Sequence, residues 1–348
     1  AGDTVYISGG PHGSTQTYSF ADSFSNISGY TEGTTGSPVT YKIGQDAAHN
    51  GTAIFNQTSK GSGYGYFIYG ASNVIFSGDA ADGSKHFALG GTFEGLVVLQ
   101  GTDANVRLSY FELGTLPYIG TINPANHVEI DNLNIKVGKY AAADHALYAN
   151  FAGSTLDDNK IHHCTVQLPY NPTNSNFGPD GFQLVGTGFS FYNNTLTTYV
   201  DNTLTTTQHM DGYQGTSGTY VKIYNNVITN MTNYGLYAEG IFGVFNHLRI
   251  YNNVISVTDP IFGTHSSGGI VVEQKIAGTM NDIVVANNTI VDLQPPGSRA
   301  LTILSDGFGS FTNTVIANNL LVDSSPVEQD GGAPVATNTA LKWAYNGR

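Results

Sequence analysis

A short phrase returns at nearly constant intervals along this chain: Phe191-Tyr192-Asn193-Asn194-Thr195-Leu196, Ile223-Tyr224-Asn225-Asn226-Val227-Ile228, Ile250-Tyr251-Asn252-Asn253-Val254-Ile255, Val285-Ala286-Asn287-Asn288-Thr289-Ile290 and Ile316-Ala317-Asn318-Asn319-Leu320-Leu321. Weaker copies precede them at Ile130 to Ile135 and at Ile161 to Val166, where His163 and Cys164 stand in the Asn-Asn slots. Aligning Asn132, His163, Asn193, Asn225, Asn252, Asn287 and Asn318 gives spacings of 31, 30, 32, 27, 35 and 31 residues. Self-similarity at a period of this size marks a solenoid, in which each unit packs only on its neighbours. The units hold short β-branched and aromatic runs with alternating pattern and no helical period. The fold class is therefore all-β, a right-handed parallel β-helix of about 31-residue coils.

Stacked coils lie about 4.8 Å apart, so equivalent asparagines are expected to hydrogen-bond from rung to rung as an amide ladder. Cys164, in a ladder slot, is expected to be a buried and inert thiol. Each coil carries a second run after a loop: His145 to Ala149, Asp180 to Leu184, Asp211 to Gly215, Tyr234 to Ala238, Gly268 to Val272 and Arg299 to Ile303. In register, Leu147, Phe182, Tyr213, Leu236, Ile270 and Leu301 form one inward column, since alternate residues share a face. Before residue 125 the repeat is looser. The expected organisation is one domain over residues 1–348: an N-terminal coil with a cap or covering loop (1–40), coils (41–323), and a closing segment (324–348).

The 43 glycines and the 11% charged content suit turn-rich β structure rather than a helical bundle. A net charge of -13 sets up a field that repels nucleic acid and anionic membrane surfaces, so neither is an expected partner. A single cysteine excludes an internal disulfide, and there is no CxxC or Cys/His zinc pattern. No stretch approaches the roughly 18 consecutive apolar residues of a membrane span. The chain opens at Ala1 without Met or a charged-then-apolar leader, which reads as the mature form of a secreted, extracellular protein.

The opening Gly2-Asp3-Thr4-Val5-Tyr6-Ile7-Ser8-Gly9-Gly10, followed by Gly36-Ser37-Pro38-Val39-Thr40-Tyr41-Lys42, resembles the first coils of secreted pectin-lyase-like β-helix proteins. In particular it is similar to the pectate lyases of polysaccharide lyase family 9. That superfamily holds calcium-dependent lyases, polygalacturonase-like hydrolases, epimerases and phage tailspikes, so the fold alone selects no reaction. The resemblance implies a carbohydrate polymer lying along a groove on one outer face.

Two phrases on consecutive coils point to chemistry: Gly178-Pro179-Asp180-Gly181-Phe182-Gln183 and His209-Met210-Asp211-Gly212-Tyr213-Gln214. Asp180 and Asp211 are expected as stacked neighbours about 5 Å apart, and carboxylates that close want a shared proton or a cation. By resemblance, the Asp-Gly-aromatic pattern matches both the calcium-binding segment of the lyases and the active-site segment of polygalacturonases. As plain structure, Asp-Gly is turn chemistry that opens a strand.

Tyr148, Gln183, Gln214 and Tyr237 form the adjoining outward column, with Asn150, Glu239 and Glu273 in the next, a set whose aromatic faces, amides and carboxylates suit sugar rings. His209 shares a face with Asp211 and joins the substrate-binding set. A transition-metal cluster of His145, Asp180, His209 and Asp211 is a further geometric option. His162 and His163 are expected to point to opposite faces of a strand and so not to share an ion. Long segments at Leu168 to Pro179, Tyr199 to Gln208 and Thr258 to Ser267 leave one corner of three coils and would wall a cleft.

Three functions fit. In the first, a lyase cleaves a uronate-containing polysaccharide by β-elimination, with Ca²⁺ held by Asp180, Asp211, Glu239 and Glu273 and with Lys275 as the base. In the second, Asp180 and Asp211 are the acid and base of an inverting hydrolase. In the third, the β-helix only binds glycan or forms a fibre.

Overall fold

A computed structural model describes residues 2–60, 65–101, 103–138, 145–153, 157–173, 179–204, 210–257, 268–292, 299–305, 309–323 and 341–344. Among them there is no α-helix, only the 3₁₀ turn Phe24–Asn26, and the named strands pair in parallel across coils. The architecture is the parallel β-solenoid that the repeat predicts. Contacts divide the chain into two compact units, where the sequence suggests one domain: Ala1–Gly138 with Ala149–Gly153 and Asp158–Val166, and Lys139–Tyr148 with Ser154–Asp157 and Gln167–Arg348. Most of the expected closing segment lies outside the described residues; within it, Leu341–Ala344 pairs with Thr314–Ala317.

In the first unit one column of strands runs through Thr4–Ile7, Val39–Ile43, Val74–Ser77, Ala104–Leu116, Gly120–Val137 and Asn159–His162. A second column begins at Thr15–Phe20, within the stretch expected to hold a cap or covering loop. It is instead a regular strand paired residue for residue with Thr52–Gln57. Its backbone groups need ladder partners, and the neighbouring coil supplies them. The chain then turns inward, and the Phe24 ring packs 5.3 to 5.5 Å from the rings of Tyr41, Phe55, Phe67 and Phe76. Edge-on aromatic packing of this kind gives the unit a dense core without long aliphatic runs.

The second unit shows the repeat most clearly. One column joins Asp180–Tyr192, Gly218–Tyr224, Phe245–Tyr251, Gly278–Ala286 and Thr314–Ala317. Another joins Thr195–Val200, Val227–Thr229, Val254–Val257, Thr289–Asp292 and Leu320–Asp323. The third joins the start of Asp180–Tyr192 to Tyr213–Gly215, Tyr234–Gly240, Gly268–Gln274 and Arg299–Ser305. In that third column Phe182, Tyr213, Leu236, Ile270 and Leu301 stack in register and are buried, the inward column expected from alternation.

The two asparagines of each phrase divide the work. The first takes a left-handed backbone conformation, with φ of 54° at Asn193, 56° at Asn225 and Asn252, and 57° at Asn287 and Asn318. Asparagine tolerates that region better than other side chains do. The second is buried and forms the ladder: Asn226 Oδ1 accepts from the Asn194 backbone N–H at 3.0 Å and from Asn194 Nδ2 at 3.1 Å. Asn253, Asn288 and Asn319 repeat the pattern at 2.9 to 3.1 Å. Each ladder amide also donates to a backbone carbonyl of the preceding coil, as Asn253 does to Ile223 at 3.0 Å.

In the first unit Cys164 holds the same slot, its Sγ 3.3 Å from the His162 carbonyl and 3.9 Å from that of Ile130. Burial pushes its thiol pKa up to about 12, so it is inert as expected. The preceding His163 has a φ of 55°, and this corner breaks strand alternation. His162 and His163 therefore do not diverge; their Nδ1 atoms are 2.8 Å apart, contrary to the opposite-face expectation.

Asn253→Ala would strand two buried donors on Asn226 and the Ile223 carbonyl, each worth about 1–3 kcal/mol, and is expected to lower unfolding free energy by roughly 3 kcal/mol or more in equilibrium denaturation. Asn252→Gly, which keeps the corner's backbone freedom, should stay within about 1 kcal/mol of the parent.

Candidate functional site

The third column of the second unit carries Asp180, Gln183, Asp211, Gln214, Tyr237, Glu239 and Glu273, with Lys275 directly after its fourth strand, and its inward and outward sides behave differently. Asp180 and Asp211 stand on consecutive coils as expected. They do not face a groove. Asp180 is 1% exposed and Asp211 0%. Asp180 Oδ1 accepts the Asp211 backbone N–H at 2.9 Å, and Asp211 Oδ1 accepts the Tyr234 N–H at 2.9 Å and Asn233 Nδ2 at 2.8 Å. Their carboxylates staple one coil to the next, which is the turn-opening reading of Asp-Gly carried across rungs. Gly181 and Gly212 allow the close approach, since a Cβ on either would lie 2.4 or 2.6 Å from a backbone oxygen of the next coil. The two aspartates given acid and base roles are thus buried and held by donors of the next coil.

The outward side holds a continuous polar network. Gln183 Nε2 donates to Gln214 Oε1 at 2.8 Å, and Gln214 Nε2 donates to Glu239 Oε1 at 3.0 Å. Lys275 Nζ donates to Glu239 Oε2 at 2.8 Å and lies 3.3 Å from Glu273 Oε2. The Tyr237 hydroxyl donates to Glu273 Oε2, and the Lys275 ammonium lies 5.2 Å from the centre of the Tyr237 ring. Glu239 and Glu273 are register partners on adjacent coils, so their stacking follows from strand pairing. The expected neighbours Gln183, Gln214, Tyr237, Glu239, Glu273 and Lys275 thus meet.

The electrostatics give Lys275 a different part from that of a base. Partial burial works against its charge, but hydrogen bonding to Glu239 and the fields of Glu239 and Glu273 more than offset this, and its pKa is raised. A general base at neutral pH needs the opposite shift. Tyr237 is held protonated, first by burial and then by its hydrogen bond to Glu273. The two acid pairs named for the expected calcium ion stand in different surroundings. Asp180 and Asp211 are buried and engaged by backbone donors, and the ammonium of Lys275 already stands between Glu239 and Glu273 where a bridging cation would sit.

Tyr148 is half-buried beside His145, with ring centres 6.0 Å apart, and His145 Nδ1 lies 3.8 Å from Asp180 Oδ2. Of the transition-metal option, His145 and Asp180 are therefore close. His209 lies outside the described residues, as do 174–178, 205–209 and 258–267 within the segments expected to wall the cleft. Asn150 meets Asn123 Oδ1 at 3.3 Å in the first unit. The sequence reading missed Phe242. Three residues beyond Glu239 in the turn that follows Tyr234–Gly240, it is 80% exposed, with Ile241 beside it. An aromatic residue flanked by glycines at 240 and 243 is the signal that could have marked it.

No protein-family model and no curated protein matches the chain. Among solved structures, similar ones include forms of the tailspike protein of E. coli bacteriophage HK620. A glutamate-to-alanine variant in complex with a pentasaccharide has a TM-score of 0.53 and 13% identity over 99% of this chain and 59% of its own. An aspartate-and-glutamate double variant has a TM-score of 0.51 and 13% identity over 100% of this chain and 60% of its own. The chain thus spans about three fifths of the tailspike chains it matches. At this identity the likeness establishes the β-helix fold; the narrower likeness to pectate lyases finds no counterpart among these matches.

Because Lys275 has a raised pKa in the fold, its stabilising contribution is fully present below the ordinary lysine pKa and is lost as pH rises through the elevated value. Lys275→Met should therefore flatten the alkaline limb of the melting temperature against pH, relative to the parent protein measured by the same thermal scans.

Proposed function

We propose that this protein binds a polysaccharide along the Gln183–Gln214–Tyr237 column and cleaves it, with Glu239 and Glu273 as the reacting carboxylates. The observation that carries the reading is the outward network in which two stacked glutamates share one lysine at the end of an amide ladder. Amides donate to and accept from sugar hydroxyls, and the exposed Phe242 ring offers an apolar face of the kind that sugar C–H groups pack against. The pentasaccharide complex of a structural neighbour supports glycan binding on a fold of this kind.

The carboxylate geometry supports hydrolysis. Oxygens of both glutamates lie 2.8 and 3.3 Å from one ammonium, which keeps them nearer to each other than a water-accommodating inverting pair at about 6.5–9.5 Å. That favours a retaining arrangement, in which one carboxylate attacks the anomeric carbon while the other protonates the leaving oxygen; water then releases the sugar from the first.

The protein's net charge of -13, and a lysine here already matched by two glutamates, favour an uncharged glycan over a uronate polymer. The metal-assisted lyase implied by the family resemblance would need a cation site and a base with a lowered pKa, and it draws correspondingly less support.

A panel of neutral and uronate glycans, with and without Ca²⁺, separates the readings. New reducing ends without ultraviolet-absorbing unsaturated products indicate a hydrolase, unsaturated products a lyase, and retention on glycan with neither a binder. Glu239→Gln and Glu273→Gln are each expected to lower the rate by about 100-fold or more with binding retained. Parent-like rates in both variants would overturn the assignment.

A further inference from the structure

A second polar cluster lies on the outward side of the first unit, assembled from three consecutive coils. Strand register puts Arg107 beside Glu129 and Glu129 beside Lys160, with Ser109, Asp131 and His162 in the neighbouring column. One ligand atom each from Glu129, Asp131 and His162 lies within 4.8 Å of the others. The proposed polysaccharide site uses none of these residues.

The three groups are held in a graded way. Asp131 is 0% exposed, and its Oδ1 accepts from Ser109 Oγ at 2.6 Å and from Asn132 Nδ2 at 2.7 Å, which fixes the carboxylate and presents Oδ2 to Arg107 Nε at 2.8 Å. His162 has its Nδ1 2.8 Å from His163 Nδ1 and its Nε2 3.2 Å from Glu129 Oε1. That same Glu129 oxygen is 3.3 Å from Arg107 Nε. Each prospective ligand thus has a supporting partner on its far side or a partly exposed stem, and Asp131 Oδ2 and Glu129 Oε1 converge on a cation. Supporting hydrogen bonds on the second atom of a ligating imidazole or carboxylate are what orient metal ligands.

We infer that Glu129, Asp131 and His162 form a site for a divalent transition-metal ion, which takes the place of the Arg107 guanidinium. Two carboxylate oxygens and one imidazole nitrogen suit a borderline ion such as Zn²⁺. Arg107 has a side chain 41% exposed, so it can swing into solvent when the ion enters. His163 acts as a positioning residue: its Nδ1, 2.8 Å from Nδ1 of His162, holds the ring with Nε2 turned toward Glu129, where the ion would enter. Lys160, beside Glu129, remains as a second positive charge and keeps the site moderate in affinity.

Isothermal titration of the full chain with Zn²⁺ alone tests the inference. One equivalent should bind, about tenfold more tightly in Arg107→Gln and about tenfold more weakly in Glu129→Gln, with His163→Ala weakened about tenfold or more. The half-exposed Glu129 and Arg107 variants should fold, which their circular dichroism and metal-free melting check directly. Absence of saturable Zn²⁺ uptake by the unmodified protein overturns the site. So does affinity left unchanged by Glu129→Gln, or left unchanged or weakened by Arg107→Gln.

Discussion

In the second unit one buried amide per coil fixes the rise and register of everything around it. Each ladder asparagine accepts a backbone N–H and a side-chain N–H from the coil before, and donates to a carbonyl of that coil and to the next asparagine. Only an amide can do both, because a carboxylate has no donor and an alcohol too short a reach. A chain of such bonds inside the protein leaves no polar group unpaired at a corner where strand hydrogen bonding is interrupted.

Fixed register converts sequence columns into physical ones. Tyr192, Tyr224 and Tyr251 stack with ring centres 4.8 and 4.9 Å apart and planes within 2° of parallel. The same constraint aligns Gln183 with Gln214 and Glu239 with Glu273. Side chains that would repel or ignore one another in an open chain are held one rung apart, and each column must resolve its own electrostatics. The glutamates do so through Lys275. The aspartates do so by accepting backbone N–H groups inside the fold.

That difference between the two acid pairs explains how far the site could be read in advance. Alternation correctly assigned the inward column and the outward Gln183, Gln214, Tyr237, Glu239, Glu273 and Lys275, because a strand's faces follow from parity. Asp180 and Asp211 share the parity of Phe182 and Tyr213, so alternation turns them inward too, where each carboxylate folds onto the backbone of the next coil instead of lining the expected groove. Alternation failed at His162 and His163, where a left-handed corner residue undoes parity. Phe242 went unnoticed because a single aromatic in a turn carries no period.

The period, the parallel β fold, the asparagine ladder and the faces of the regular strand residues were settled by the sequence, since all depend on local backbone preference and on spacing within a coil. The partner of each charged group was decided only by the tertiary structure. Lys275 on Glu239, backbone donors on Asp180 and Asp211, and Arg107 against Glu129 and Asp131 are contacts between coils 22 to 36 residues apart. At that separation the deciding factors are the length of a side chain and the water it loses, and neither is written in the order of the residues.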